Sequence, residues 1–226
     1  MADIELNKCF NERTFDVMNN IDIEMLYRTL NYVMPKIKNE RGYFFDIGCN
    51  SGSFIKALSL LKKIQNIHAF EPHPILANKV RETYPYITLF EGCVGSYNGA
   101  IDIFIPSRSC LLSSIVYRPV FNRLDQPIVK YGTNNITIDT YCDKNNIDYI
   151  NFIKIDVEGA ELHVFKGAEK MLRAKKILCG CYEFGETLQD AGTSEEEIEE
   201  YLSNYGYKIK RIDSNNNLFY DISNFN

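Results

Sequence analysis

Asp46-Ile47-Gly48-Cys49-Asn50-Ser51-Gly52 decides the fold, because this stretch follows the apolar run Tyr43–Phe45 and supplies an acid and two spaced glycines. A strand that ends in this way before a helical pattern forms a loop whose backbone can lie against a ligand, with the helix N-terminus facing it. Gly48 permits a tight turn, and Gly52 permits close helix–strand contact or close approach to the ligand. Asp46 can accept hydrogen bonds from a ligand ammonium or from loop amides.

A second acid follows at the spacing that nucleoside-binding folds use. Nineteen residues after Gly52, the apolar segment 67–70 ends in Glu71. Doubly wound nucleotide folds place at this position the carboxylate that binds the ribose hydroxyls. The glycine pair together with this strand-end acid predicts a nucleoside cofactor.

The composition is that of an ordinary globular domain. The 226 residues are 45% hydrophobic and 24% charged, which is enough for one domain with a full hydrophobic core. We expect a single domain over 1–226, with a helical N-terminal segment (1–40) and an α/β cofactor-binding core (41–226). The net charge of −5 argues against a nucleic-acid substrate, because it offers no footprint for a polyanion.

Cysteine usage and hydropathy indicate the compartment. The seven cysteines are odd in number and scattered, a pattern typical of reduced thiols rather than of a disulfide framework. The N-terminus lacks the basic and then apolar pattern of a signal peptide, and no apolar stretch is long enough to span a membrane. We therefore expect a cytoplasmic protein with no membrane span; the sequence does not identify its oligomeric state.

Strand and helix patterns alternate along most of the chain. Strands are predicted at about 43–47, 67–70, 87–90, 99–106, 149–155, 176–183, 207–212 and 218–222. Helices are predicted at about 19–38, 53–63, 74–84, 139–144 and 158–172, and one beginning near Thr193-Ser194. Between 107 and 133 the pattern breaks down into Ser, Arg, Pro and Gly and predicts a long loop or insertion.

This order of elements predicts the fold class. Alternating strands and helices imply a doubly wound, mostly parallel sheet with right-handed crossovers. The two C-terminal strands, separated by the polar turn 215–217, imply an antiparallel hairpin at one edge. We expect an α/β fold with seven strands in the sheet and a helical segment before it.

A second dense constellation covers Lys154–Glu161. Asp156 falls at the carboxyl end of the strand predicted at 149–155, where doubly wound sheets bind ligands. Glu158 and Gly159 are expected to open the next helix, with Glu161 one turn in. Acids in a first turn also suit the helix dipole, so a structural role for them stays open beside the functional one.

Several segments resemble the FkbM-type methyltransferases. The run Phe45–Gly52 resembles the cofactor loop of that family, which favours Asn where other methyltransferases have a middle glycine. Lys154–Glu161, with Phe165–Ala168 behind it, resembles the most specific signature of the family. The other similar segments, within a resemblance that spans roughly 43–183, are Ala69–Pro74, Ser113-Ser114 and Thr137–Tyr141.

The resemblance implies a class I, Rossmann-like fold and an S-adenosylmethionine-dependent O-methyltransferase. Its acceptor would be a hydroxyl of a sugar, glycan or related small molecule. By this resemblance the methionine portion is held by Asp46, Gly48, Asn50 and Gly52, the ribose by Glu71, and the adenine by Gly92-Cys93-Val94, with Asp156 near the sulfonium. The remaining cofactor-binding candidates, from the same segments, are Cys49, Ser51, Pro72 and His73.

Methyl transfer to an alcohol needs alignment and a base for the hydroxyl proton. Asp156 is the first candidate and Glu158 the second. Glu183, at the end of the strand 176–183, could bind an acceptor hydroxyl or form a cap or ion pair. His163 is a further candidate, although a structural role is more typical of a histidine inside a helix.

A metal ion and the long loop are further possibilities. Oxygen ligands for magnesium could come from Asp139, Asp156, Glu158 and Glu183. Nothing in their spacing requires a metal, and we expect none. Residues of the loop region whose types suit sugar contacts are Ser114, Tyr117, Arg118 and Tyr131.

Three other functions remain open. An RNA ribose methyltransferase would share the fold, although the acidic balance disfavours it. An NAD-dependent oxidoreductase is disfavoured by Asn50 at the middle glycine position and by the edge hairpin. A non-catalytic scaffold of a glycan pathway would keep the fold without turnover, but both acid-and-glycine constellations argue for retained cofactor binding.

Overall fold

The computed structural model describes residues 23–24, 26–36, 42–61, 66–221 and 223. Its strands are β1 (Tyr43–Ile47), β2 (Asn66–Phe70), β3 (Thr88–Phe90), β4 (Cys93–Val94), β5 (Gly99–Pro106), β6 (Ile128–Ile136), β7 (Ile150–Ile155), β8 (Cys179–Glu183), β9 (Tyr207–Arg211) and β10 (Asn216–Asp221). Its helices after β1 are α1 (Ser53–Ser59), α2 (Pro74–Thr83), α3 (Ile138–Asn145), α4 (Glu161–Lys166), α5 (Glu169–Arg173), α6 (Glu186–Asp190) and α7 (Glu195–Asn204). Residues 26–33 are also helical, and short 3₁₀ helices cover Met34–Lys36, Cys110–Leu112 and Pro119–Arg123.

The main sheet has seven strands in the order β3-β2-β1-β7-β8-β10-β9. The first five are parallel, whereas β10 runs antiparallel to both β8 and β9. The predicted mostly parallel sheet with an antiparallel edge hairpin is therefore confirmed. Strand order reverses between β1 and β7, and open α/β sheets bind their ligands outside the carboxyl ends of the strands at such a switch point.

Alternate residues of the central strands face opposite sides of this sheet. Phe45 and Ile47 of β1 belong to an apolar cluster with α3, α4, α5 and α7. Phe44 belongs to the cluster on the other side, with α1, α2 and the helix at 26–33. Because both faces are buried, a shift of one residue would exchange the two sets of side chains, so the register is fixed. The loops at the carboxyl ends are thus presented from a rigid support.

A second sheet, in the order β4-β6-β5, corrects the predicted loop over 107–133. β6 begins at Ile128 and pairs antiparallel with all of β5, so the irregular segment is only 107–127. The exposed positions Lys130, Gly132 and Asn134 explain why this strand was missed. A strand with one face in solvent and a glycine within it lacks the apolar run that marks a buried strand.

The helix predicted over 158–172 is wrong in its start and its continuity. Glu158 and Gly159 have φ angles of +57° and +96°, which are left-handed and not helical. The Glu161 carboxylate accepts hydrogen bonds from the backbone amides of Val157 at 3.0 Å and Gly159 at 3.4 Å. These bonds hold a loop where a helix was expected, and the helical residues that follow divide into α4 and α5.

Other boundaries shift by a few residues. The helix predicted at 53–63 ends at Ser59, and the strand predicted at 176–183 begins at Cys179. Of the N-terminal segment 1–40, the stretch 1–22 lies outside the described residues, and helix is observed over 26–33. Within the described ranges, every helix is too short or too polar to cross a membrane.

Candidate active site

A crevice of about 490 Å³ lies at the carboxyl ends of β1, β2, β7 and β8. This is the switch point of the main sheet, where the sequence placed the ligand. The predicted site residues that line the crevice are Gly48, Cys49, Asn50, Ser51, Glu71, Pro72, Gly92, Cys93, Val94, Asp156, Glu158 and Glu183.

The backbones of two loops touch at Gly48. Gly48 has a φ of +76°, and a Cβ atom there would lie 1.9 Å from the backbone oxygen of Asp156. The backbone amide of Asp156 donates to the carbonyl of Ile47 at 3.0 Å. Only glycine fits this contact, which brings the cofactor loop and the second constellation together.

Glu71 connects the loops that follow β1 and β2. One of its carboxylate oxygens accepts the backbone amide of Asn50 at 2.7 Å, and the other accepts that of His73 at 2.8 Å. Burial raises the pKa of Glu71 to about 7, although the two amide bonds oppose the rise. Each oxygen keeps a second lone pair, so the carboxylate can still accept a ligand hydroxyl.

Three predicted cofactor residues lie behind the crevice wall. Asp46 is fully buried beneath the loop. At Gly52, whose φ is +90°, a Cβ would lie 2.4 Å from the ring of Tyr84, so the glycine serves close packing rather than approach to a ligand. His73 accepts the backbone amide of Ile75 at 3.3 Å and caps α2.

Lys154 connects the buried Asp46 to the crevice, and the sequence analysis did not single it out. Its Nζ atom lies 3.6 Å from Asp46 Oδ1 and 3.0 Å from Asp156 Oδ2. Desolvation lowers the pKa of Lys154, but the two carboxylates outweigh it and raise the pKa above its usual value. The signal was present in the sequence, because a lysine in a buried apolar strand needs a partner.

Burial raises the pKa of Asp46 to about 6, with Lys154 opposing the rise. Neither carboxylate oxygen of Asp46 has a hydrogen-bond partner among the described residues. The Lys154 Nζ atom, 3.6 Å away, is therefore the cation that offsets the charge of Asp46.

Three carboxylates meet on the other side of the crevice. Asp156, Glu158 and Glu183 each have an oxygen within 4.8 Å of the others, a spacing at which carboxylates could share a cation. Burial, followed by repulsion from the neighbouring acids, raises the pKa of Glu183 to about 9. Desolvation and Asp156 also raise the pKa of Glu158, and Arg118 opposes that rise.

Two candidates from the sequence lie elsewhere. Asp139 accepts the backbone amides of Lys170 at 2.8 Å and Met171 at 3.0 Å, so it joins α3 to α5. His163 lies on α4 with its Nδ1 atom 3.4 Å from the hydroxyl of Ser96, outside the crevice. Neither is placed to act on a ligand in the crevice.

The segment 107–127 covers part of the crevice, and the start of β10 with the residue before it also reaches it. The lining residues from these two regions are Arg108, Ser109, Cys110, Leu111, Ser113, Ser114, Ile115, Asn215 and Asn216. Ser114 thus has the expected position, whereas the exposed Tyr117 hydroxyl donates to Asn122 at 2.8 Å. Arg118 is buried, with Nη2 3.1 Å from Glu158 Oε2, so it contacts the site through an acid rather than as an exposed loop residue.

Comparison with known proteins agrees with this geometry. Residues 46–209 match the methyltransferase FkbM domain family. The chain is 30% identical over 149 residues to 2-O-methyltransferase NoeI of Sinorhizobium fredii, in an alignment that covers 59% of this chain and 60% of that protein.

Solved structures support the fold. Methyltransferase FkbM of Methylobacillus flagellatus superposes with a TM-score of 0.58 at 18% identity, over 86% of this chain and 47% of that one. The chain thus spans about half to three fifths of the length of these relatives. A family match over most of the chain is decisive where these partial alignments are not: the chain belongs to the methyltransferase FkbM domain family.

Proposed function

We propose that this protein transfers the methyl group of S-adenosylmethionine to a hydroxyl of a sugar, a glycan or a related small molecule. The observation that carries the proposal is the cluster of Asp156, Glu158 and Glu183, which faces the same crevice as the cofactor loop. A hydroxyl acceptor needs such an oxygen base, because an alcohol is a poor nucleophile while protonated. The similarity to a 2-O-methyltransferase supports the same class of acceptor.

The residues of the crevice fit the cofactor. The buried Oδ1 of Asn50 has no hydrogen-bond partner among the described residues and is available to a donor on a ligand. Glu71 keeps acceptor capacity for the ribose hydroxyls, and the acidic wall suits a cationic sulfonium and ammonium. In the proposed complex the sulfonium supplies an activated methyl group, and Gly92-Cys93-Val94 border the adenine.

We assign the three carboxylates different roles toward the acceptor hydroxyls. Asp156, held by Lys154 at 3.0 Å, is our first candidate for the base that takes the hydroxyl proton. Glu158 is the second candidate, and Glu183 binds a neighbouring hydroxyl. The raised pKa values of Glu158 and Glu183 suit groups that exchange protons with an alcohol near neutral pH.

The charges of the crevice favour an uncharged acceptor. Of the two cations that line the crevice, Lys154 lies 3.0 Å from Asp156, and Arg108 donates to the backbone carbonyl of Asp125 at 3.2 Å, so both already have partners. An anionic acceptor would be desolvated beside several acids, which is unfavourable. We therefore expect neutral glycosides to be methylated in preference to nucleotide sugars, and RNA ribose to be a poor acceptor.

The same charges support transfer without a metal ion. Lys154 and Arg118 partly offset the charges of Asp156 and Glu158, and the raised pKa of Glu183 favours its neutral form. We expect dialysis against EDTA to leave the rate of methyl transfer unchanged. Loss of activity that added Mg²⁺ restores would contradict this expectation.

The test of this proposal is to incubate the protein with methyl-labelled S-adenosylmethionine and, separately, with each of four classes of acceptor. These are neutral glycosides, amino-sugar glycosides, nucleotide sugars and a short RNA at low salt. Label in a glycoside hydroxyl supports the proposal, whereas label confined to RNA favours the ribose methyltransferase. If calorimetry detects neither S-adenosylmethionine nor S-adenosylhomocysteine binding, the non-catalytic scaffold is favoured instead.

Buried thiols suit a reducing compartment. Cys49, Cys93, Cys142, Cys179 and Cys181 are buried and form no disulfide. We therefore propose a cytoplasmic location. Fractionation of the source cells with an antibody against the chain tests it.

A further inference from the structure

Arg118 is a buried charge at the junction between the segment 107–127 and the carboxylate cluster. It is 1% exposed, which makes it the one arginine or lysine that is fully buried within the described ranges. Burying a guanidinium is unfavourable unless charges and hydrogen bonds compensate for the lost water. The contacts of this side chain should therefore reveal what it does.

Two of these contacts come from its own segment. Nη2 donates to the backbone carbonyl of Leu112 at 2.8 Å, and the guanidinium lies over the ring of Phe121 at 5.2 Å from its centroid. The third contact is Glu158 Oε2, 3.1 Å from Nη2. The Glu158 oxygen is the one charge in this set, and it belongs to the loop after β7.

The segment that carries Arg118 is itself anchored. The backbones of Ser114 and Phe104 exchange two hydrogen bonds, of 2.9 and 3.1 Å, which tie the segment to β5. The amide of Val120 donates to Asp190 Oδ2 at 3.0 Å, which ties it to α6. The guanidinium is thus held between two fixed attachments and does not depend on Glu158 for its position.

Glu158, in contrast, needs an external support. Its left-handed φ of +57° places it in a loop, where no helix constrains the direction of its side chain. The acids whose charges act on it are Asp156 and Glu161, and Glu183 shares the cluster. Lys154, the other nearby cation, is engaged by Asp156 at 3.0 Å. Repulsion would turn the Glu158 carboxylate away from these neighbours if Arg118 did not attract it.

We propose that Arg118 is a positioning residue that aims the Glu158 carboxylate into the crevice and thereby makes turnover depend on the docked segment 107–127. This proposal rests on the proposed function, because it assigns Glu158 a part in transfer to the acceptor. Arg118 itself does not line the crevice. Its variants should therefore change the transfer step and leave cofactor binding intact.

A double-mutant cycle tests this coupling. We compare Arg118→Met, Arg118→Lys, Glu158→Gln and the double variant Arg118→Met/Glu158→Gln in kcat, in KM for the acceptor, and in calorimetric affinity for S-adenosylhomocysteine. Misplacing a reacting group typically costs about 10²-fold, so we expect Arg118→Met to lower kcat by roughly 10- to 100-fold. Arg118→Lys should recover part of the loss, because it keeps the charge but not the forked geometry.

The decisive comparison is made in the Glu158→Gln background. If Arg118 acts through Glu158, adding Arg118→Met there should produce no further fall in kcat. Multiplicative losses in the double variant would overturn the proposal, as would full activity of Glu158→Gln. Arg123→Met is the matched control, because this exposed arginine of the same segment pairs with Asp190 at 3.5 Å. It should leave kcat unchanged.

Two further readouts separate the possible failures. Loss of cofactor affinity in Arg118→Met would indicate a structural defect. In that case Arg118→Lys replaces Arg118→Met in the double-mutant cycle. If the wild-type protein methylates no hydroxyl acceptor, the proposed function fails, and the same cycle is scored in Tm. A smaller fall in Tm when Arg118→Met is added to Glu158→Gln than when it is added to the wild type would support the coupling, whereas equal falls would overturn it.

Discussion

Lys154 is the residue on which the charge balance of the crevice depends. It lies in β7, between the buried Asp46 and the partly exposed Asp156, and contacts both. Removing one partner from a buried ion pair leaves an uncompensated charge, which is more costly than losing an exposed pair. Single substitutions can therefore separate charges that support the fold from charges that perform the chemistry.

We expect Lys154→Met to destabilise the protein by roughly 3–5 kcal/mol, because Asp46 loses its cation while buried. Urea unfolding at pH 7 measures the loss. The control is Lys130→Met, which breaks an exposed pair with Asp102 at 2.8 Å and should cost about 1 kcal/mol or less. Equal losses in the free energy of unfolding would show that the Lys154 ion pairs stabilise the protein no more than an exposed pair does.

Asp156→Asn should keep the fold and most of the cofactor affinity but lower turnover. If Asp156 takes the acceptor proton, the loss in kcat should be about 10²- to 10⁴-fold. Glu158→Gln and Glu183→Gln are measured in parallel, and calorimetry reports cofactor binding. Unchanged turnover in Asp156→Asn, with a large loss in one of the others, would move the role of base to that residue.

Gly48→Ala should abolish cofactor binding and lower Tm. The new methyl group would meet the backbone oxygen of Asp156 at 1.9 Å, so β1 and β7 could not both keep their loops in place. Gly192→Ala is a matched control, because Gly192 has a similar φ of +79° with nothing within 4 Å of a Cβ. Gly192→Ala should lower the free energy of unfolding only by the cost of a left-handed alanine, about 1–2 kcal/mol. A similar defect in both variants would attribute the effect to φ alone.

At the scale of elements, the sequence predicted the start of a helix where a neighbouring side chain caps its first backbone amides. The Ser194 hydroxyl accepts the backbone amide of Glu197 at 3.2 Å, and the Glu197 carboxylate accepts the backbone amide of Ser194 at 2.8 Å, so α7 begins near Thr193-Ser194 as predicted. The loop at 156–160 was not predictable in this way. An acid that the sequence placed in the first turn of a helix, Glu161, instead accepts the backbone amides of Val157 and Gly159 and holds the loop in place.

Ser194→Ala should shorten or fray α7 without affecting the site. The loss of an N-cap costs about 0.5–2 kcal/mol, which corresponds to a fall in Tm of roughly 1–8 °C in a domain of this size. Thermal unfolding measures the fall, and kcat should not change because α7 does not line the crevice. A change in kcat would show that α7 is coupled to the loops.

At the scale of the whole molecule, both faces of the main sheet are buried, and this burial includes titratable groups. Burial lowers the pKa of His68 from 6.5 to about 4. Its Nδ1 atom lies 2.8 Å from the Tyr141 hydroxyl, within hydrogen-bond distance. Between pH 6.5 and 4, the His68 imidazole is protonated in the unfolded chain but stays neutral in the folded protein. This contribution to stability is therefore complete above pH 6.5 and decreases as the pH falls towards 4.

His68→Phe should isolate this effect. At pH 7.5 the variant should be less stable than the wild type, because it loses the bond to Tyr141. At pH 5 the difference in the free energy of unfolding should shrink or reverse, because phenylalanine has no proton to refuse. Urea unfolding of both proteins at the two pH values measures it, and a difference that is independent of pH would contradict the assignment.

The sequence by itself determined the strand-end acids, the glycine loop and the edge hairpin, because alternation, turn residues and loop spacing are local properties. For the same reason it placed Glu71, Asp156 and Glu183 at the ends of the strands that border one crevice. It missed β6, whose exposed face carries no apolar run, and it extended a helix through Glu158 and Gly159.

Only the tertiary structure decided which charges face one another. Lys154 pairs with Asp46, and Arg118 pairs with Glu158, across sequence separations that no local pattern reports. Such pairs form because parallel strands bring their carboxyl ends to one edge and a buried charge must find its counter-charge there. The physical reason for the division is thus range: conformational preferences act within a few residues, whereas electrostatic compensation acts across the folded core.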